Sequence, residues 1–378
     1  MSNHDRERGC RSAPFRRSHG LTGLLLLLLI APIQEAGADP EGRYPSTRIY
    51  GYFDLEAEVN DKDAKGERWT FDQHHLTAIT YVELSARYRV LFETSWEHGP
   101  VHEATDGTGK IYLPKAYLEY FRSDALRLRA GKFLPPFGIY NERHDATPTV
   151  IPTVLPPSVY GSHPNLTGAM ADSLGRSERA YPRFASGVWL LGNLFAGGWG
   201  VEYNGYLVNG RGSDPDEKDD NTNKGLGTRI VLTPPGDAVR FGVSWYGDRN
   251  GELSDARQDA FGADIEASLG NGILEGGVIL PRYEELTEDG APDGHRREAA
   301  GAYLFAGYCF FDRLTPFVYH DVYDPDRDAK DDRETDTTVG ANFALDFTVF
   351  LKGEVHFLGF EDDRDGYRKY ITSVAVAF

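Results

Sequence analysis

The chain ends on Tyr370-Ile371-Thr372-Ser373-Val374-Ala375-Val376-Ala377-Phe378, and this ending restricts the fold more than any other stretch. Side chains of an extended strand alternate between two faces. Tyr370, Thr372, Val374, Val376 and Phe378 share one face, and Ile371, Ser373, Ala375 and Ala377 lie between them. No loop follows the last aromatic. A one-sided apolar strand left as an open edge is a template for aggregation. Closing the sheet into a barrel removes that edge by pairing the last strand with the first.

The other end of the chain sets the compartment. Arg6, Arg8, Arg11, Arg16 and Arg17 precede an apolar run from Leu21 to Ile33, and Glu35-Ala36-Gly37-Ala38 supplies the small-x-small pattern of a cleavage site. Residues 1–38 are therefore expected to be a secretory signal peptide cut after Ala38, leaving 39–378 as one domain. The apolar core is too short for a comfortable membrane span. Removing the signal takes away five Arg and three acids, which leaves 35 basic residues against 55 acidic ones. So acidic a chain is a poor partner for nucleic acid. Cys10 leaves with the signal, so Cys309 has no partner for an intramolecular disulfide.

From Arg48 onward the sequence breaks into extended segments separated alternately by tight turns and longer polar loops. In the first, Ile49, Gly51, Phe53, Leu55, Ala57 and Val59 oppose Arg48, Tyr50, Tyr52, Asp54, Glu56 and Glu58. This is apolar-out, polar-in alternation. Turn signals such as Ser85-Ala86-Arg87, Pro234-Pro235-Gly236-Asp237 and Gly270-Asn271-Gly272 divide the chain into sixteen strands, with seven short turns on one side and eight longer loops on the other. An even strand number, unequal loop lengths and both termini on the short-turn side predict an all-β, 16-stranded antiparallel transmembrane barrel. Strands are then the only spanning elements, because lipid demands that every backbone group be paired.

Two stretches carry a resemblance. Phe378, the alternating residues before it and Tyr370 at the ninth place from the end resemble the assembly signal of bacterial outer-membrane β-barrels. That likeness implies an outer-membrane location, a barrel assembly machinery as partner, and surroundings of lipid and lipopolysaccharide. The segment Gly131-Lys132-Phe133-Leu134-Pro135-Pro136-Phe137-Gly138-Ile139-Tyr140-Asn141-Glu142 resembles the mid-barrel stretch of the phosphate-selective porin O/P-like family. There a strand ends in Pro-Phe-Gly just before the long loop that folds into the pore. The resemblance implies passive diffusion of small hydrophilic solutes through a homotrimer. Phosphate-specific members carry a ladder of lumenal Arg and a ring of Lys; this acidic chain has no loop with a Lys cluster.

Sixteen strands enclose an aqueous channel unless loops fill it. The long loop from Ile139 to Pro182 is the expected constriction, and its rigid Pro-rich path loses little entropy when fixed. Facing parity puts Arg48, Arg89, Lys115, Arg127, Arg129, Arg229, Arg240 and Lys352 on the lumenal side, with Asp54, Glu56, Glu58, Glu93, Glu97, Glu119, Glu202, Asp264, Glu266, Glu275 and Glu354. Lys132 falls on lipid parity, so either a bulge at Gly131 re-aims it or it sits at the interface. Arg89, Lys115, Arg127 and Arg129 cluster on the third to fifth strands with Glu119. Opposite Glu142, Arg143 and Asp145 of the loop they make a transverse field, and lining charge with pore diameter sets selectivity. Two alternatives remain: a substrate-selective channel for anions such as phosphate or dicarboxylates, and a structural barrel plugged by its loop. No catalytic constellation or cofactor motif stands out, so no enzyme is expected. His74-His75 shows no third ligand at metal spacing.

Overall fold

Each alternating segment is a strand in the computed structural model, which describes residues 42–62, 69–97, 110–143, 151–156, 158, 181–210, 219, 221–250, 255–287, 291–362 and 364–378. The expected signal, 1–38, and Asp145 lie outside the described residues. The unit Pro45–Phe378 is a single closed sheet of sixteen antiparallel strands. In chain order these are β1 (Ser46–Asn60), β2 (Thr70–Glu83), β3 (Tyr88–Glu97), β4 (Lys110–Ser123), β5 (Leu126–Phe133), β6 (Ala185–Ala196), β7 (Trp199–Asn209) and β8 (Lys224–Thr233). Then follow β9 (Val239–Asn250), β10 (Ala256–Leu269), β11 (Gly272–Leu286), β12 (Pro292–Glu298 and Ala300–Tyr308), β13 (Leu314–Asp324), β14 (Glu334–Asp346), β15 (Val349–Phe360) and β16 (Tyr367–Ala377).

The two pieces of β12 both pair with β11 and are separated by Ala299, whose N–H donates to the Pro281 carbonyl at 2.9 Å. Proline has no N–H to return the second bond of that pair, which accounts for the interruption. The ladder of this strand begins at Pro292.

The ends close as expected. β1 pairs antiparallel with β16 from Tyr52 opposite Ala377 to Asn60 opposite Lys369. Phe378 extends the seam, with its N–H donating to Gly51 O at 2.9 Å and its carbonyl accepting from Gly51 N at 2.8 Å. A Cβ on Gly51 would collide with the Phe378 ring, so this glycine makes room for the terminal aromatic.

Two faces follow from the strand period. In β8, Leu226, Ile230 and Leu232 are exposed while Gly225, Gly227, Arg229 and Val231 are buried. In β16, Ile371, Ser373 and Ala375 point inward and Thr372 and Val374 outward. Around the short-turn rim, Tyr88, Phe121, Phe195, Trp199, Tyr308, Phe311, Phe347 and Phe378 are exposed. A girdle of aromatics at one edge of an outward apolar band is what a membrane interface stabilises. Among the described residues no helix is long and apolar enough to cross a membrane.

Glu58 departs from the parity reading. It is exposed where β1 runs out into its loop, and it pairs with Lys369 at 2.6 Å. Lys132 keeps its outward parity, because pairing with β4 runs unbroken through Gly131; its ammonium lies 5.5 Å from the Phe184 ring centroid.

Candidate pore constriction

The chain leaves β5 through Leu134-Pro135-Pro136-Phe137 and turns into the barrel. Phe133 is fully buried against Trp189 and Tyr206, with ring centroids 5.2 and 6.5 Å away. Phe137 stacks on Tyr181 of the returning limb at 4.1 Å, and Asn141 Nδ2 donates to Pro135 O at 2.6 Å. These contacts tie the neck of the loop. Gly138, at a φ of 64°, turns the backbone so that its N–H donates to Ser244 Oγ on β9 at 3.1 Å.

Beyond the neck the described parts of the loop bond to wall after wall. Tyr140 donates its hydroxyl to Glu275 on β11, and Arg143 reaches Glu266 on β10 at 2.8 Å. Ser158 donates both its N–H and its hydroxyl to Asp321 on β13. Asn342 on β14 donates to Ile151 O and Lys352 on β15 to Pro152 O, both at 3.3 Å. Thr153 N–H donates to Glu354. Two glycines on the wall clear space for the crossing. A Cβ at Gly262 would lie 2.9 Å from the Phe137 ring, and one at Gly301 would lie 2.8 Å from Ser158 Cβ. These described parts of the loop thus lie inside the barrel, clasped by strands β9 to β15.

On the other side, next to β2–β6, a cavity of about 140 Å³ stays open. Lys115, Arg129, Glu93, Tyr117 and Trp189 line it from the wall, and Glu142 lines it from the loop. Three of the residues expected at the constriction, Lys115, Arg129 and Glu142, therefore meet at one opening. The cations are partly neutralised. Glu119, almost fully buried, accepts from both Arg89 and Arg129, the latter at 2.6 Å, and Lys115 donates to Glu93 at 2.9 Å. Arg129 is also sandwiched over Tyr117 and Trp189, at 4.8 and 4.3 Å from the ring centroids. Arg127 shares the parity of Arg129 and has no ion-pair partner among the described residues. Arg143 turns away from the opening toward Glu266 and Glu275 and belongs to the clasp.

The clasped wall is charged throughout. Arg229 makes a two-pronged pair with Asp264 at 2.5 and 2.9 Å, and Arg240 bridges Glu202 and Glu266. His356 contacts Asp336 at 3.0 Å and Glu354 at 3.2 Å. Parity reasoning found most of these groups but passed over Asp321 and Asp336. Both lie two residues from an inward tyrosine or threonine, Tyr319 and Thr338, which is the signal that would have placed them. The loop anchors Tyr140 and Ser158 left no such signal, because a loop has no period.

The pair His74-His75 also corrects the sequence reading. Asp54, on the neighbouring strand, brings a carboxylate to both rings, and the possible ligand atoms of the three residues lie within 4.8 Å of one another.

Comparison with known proteins places the fold. No protein-family model and no curated protein matches the chain. Among solved structures it is similar to an anion-selective porin from Comamonas acidovorans, at 14% identity and a TM-score of 0.63 over 88% of this chain and 99% of that one. It is similar to the outer membrane channel DcaP of Acinetobacter baumannii at 9% identity and a TM-score of 0.56, over 88% of this chain and 97% of that one. OmpF of Salmonella typhi matches at 10% identity and a TM-score of 0.56, over 88% of this chain and 98% of that one. The fold is that of the outer-membrane porins.

Proposed function

We propose that the chain is an outer-membrane porin, a water-filled channel for passive diffusion of small hydrophilic solutes and ions. The observation that carries this reading is the long loop, folded into the barrel and clasped to β9–β15 while a charged cavity stays open beside β2–β6. Pore diameter and lining charge at such an opening set which solutes pass. Single-channel recording of the refolded protein in a planar bilayer tests it. Open-state current supports the channel, and a silent barrel means that the loop is a plug.

A second reading, preference for anions, rests on Arg127 and on the three cations, Arg89, Lys115 and Arg129, gathered around two wall carboxylates, Glu93 and Glu119. The structural neighbour from Comamonas acidovorans carries that preference in its name. Saturation of the current by phosphate or a dicarboxylate would narrow the reading to the selective channel suggested by the segment Gly131–Glu142.

The same reading includes export through a signal peptide cut after Ala38, assembly by a barrel machinery that recognises Tyr370 and Phe378, and a homotrimer surrounded by lipid and lipopolysaccharide. One structural neighbour, OmpT of Vibrio cholerae, is described in a trimer form. Deleting Phe378 removes two seam hydrogen bonds and is expected to stop barrel assembly while leaving export intact. Normal heat-modifiable bands in the outer membrane would refute that.

A further inference from the structure

The first two strands hold a feature that conduction does not use. Consecutive residues of a regular strand point to opposite faces. His74 and His75 do not: their rings lie 4.0 Å apart at an interplanar angle of 33°. The cause is a bulge. His75 pairs with Asp54 and Asp72 with Glu56, so Gln73 and His74 together oppose Leu55 alone. The extra residue turns His74 to the same side as His75, at the cost of a break in the ladder.

Carboxylates surround the two rings. His75 Nδ1 lies 3.1 Å from Asp54 Oδ1 and its Nε2 lies 3.5 Å from Glu97 Oε1, while His74 Nδ1 lies 3.2 Å from Glu56 Oε2. Asp54 is fully buried, and His75 and Glu56 are nearly so. Glu56 Oε1 is buried and accepts no hydrogen bond. Leaving a carboxylate oxygen desolvated and unsatisfied is costly, and a cation removes that cost. The side chain of His74 remains one-third exposed, at 34%, which gives an ion a path from water.

We propose that His74, His75 and Asp54 bind one divalent transition-metal ion of the zinc type in the barrel wall, with Glu56 beside His74. Two imidazole nitrogens with carboxylate oxygens form a donor set suited to a borderline ion, rather than to calcium or magnesium, which take oxygen alone. Bonds of about 2.0–2.2 Å place tetrahedral donors roughly 3.3–3.6 Å apart. The His75–Asp54 contact is already near that spacing, and the possible donor atoms of His74, His75 and Asp54 lie within 4.8 Å of one another. Glu97, on the far nitrogen of His75, orients that ring.

The test uses the untagged, folded full-length mature barrel in detergent, stripped with chelator and titrated with Zn²⁺ by calorimetry. Excess Ca²⁺ is present to fill all-oxygen sites on acidic loops. One equivalent of zinc is expected to bind. His74→Ala and His75→Ala are each expected to weaken binding by at least about tenfold. Asp54→Asn is a third variant in case either alanine barrel fails to show heat-modifiable mobility. Uptake of less than one equivalent by the unaltered protein, or unchanged affinity in the folded variants, would overturn the site and leave the histidines as ion-pair partners of the wall.

Discussion

The two walls of the barrel carry similar charges and use them differently. From β8 to β15 the acids and bases are spent on holding the loop and on one another: Arg143 with Glu266, Ser158 with Asp321, Arg229 with Asp264. From β2 to β6 the bases are held by fewer acids and face open space across from Glu142. Sixteen strands enclose a wide interior, and the described parts of one loop enter it along one side. The described parts of the loop are hydrogen-bonded to one wall, and Glu142 faces the charges of the other across the cavity.

Four substitutions test that contrast, from the largest effect to the smallest. Arg229→Ala strands Asp264 without its buried partner on the clasped wall, and should cost about 3–5 kcal/mol in urea unfolding of the folded barrel. A loss no greater than that of Arg129→Ala, in which Glu119 keeps Arg89, would erase the distinction between the walls. Asp321→Ala removes the acceptor for the buried Ser158 N–H and hydroxyl, with an expected cost of about 1–3 kcal/mol. It should also raise single-channel conductance as the loop loosens; unchanged current would mean that the remaining clasps hold it.

Charge reversal on the open wall is expected to act on selectivity more than on stability. Arg127→Glu with Arg129→Glu should move the reversal potential in a salt gradient toward cation preference, and identical potentials would leave these arginines as wall filling. The smallest effect belongs to neither wall. Arg333 reaches Glu361 at 3.4 Å with both side chains about half exposed, so Arg333→Ala should change unfolding by less than about 1 kcal/mol and leave conduction alone.

Much of this molecule was legible in one dimension. Strand number, the closing partner of Tyr370–Phe378 and the inward parity of Arg129, Arg229 and Glu354 all follow from a period of two, which is a local property of the chain. Lys115, Arg129 and Glu142 line one cavity because adjacent strands and the loop that follows them are near in sequence. Where local rules broke, the reading broke too. It saw no third ligand beside His74 and His75, whereas the bulge opposite Leu55 puts the two rings side by side with Asp54 next to them.

What only the tertiary structure decided is the path of the loop and the pairing of charges. Ser158 and Asp321 are 163 residues apart, and Thr153 and Glu354 are 201 apart. No periodicity in a loop can name such partners, since its route depends on which wall offers acceptors and room, as Gly262 and Gly301 do. The sequence by itself determined a closed sixteen-stranded barrel with a polar inside, because backbone pairing in lipid admits few alternatives. Which wall the described parts of the loop are fastened to was settled by long-range hydrogen bonds that exist only once the barrel has closed.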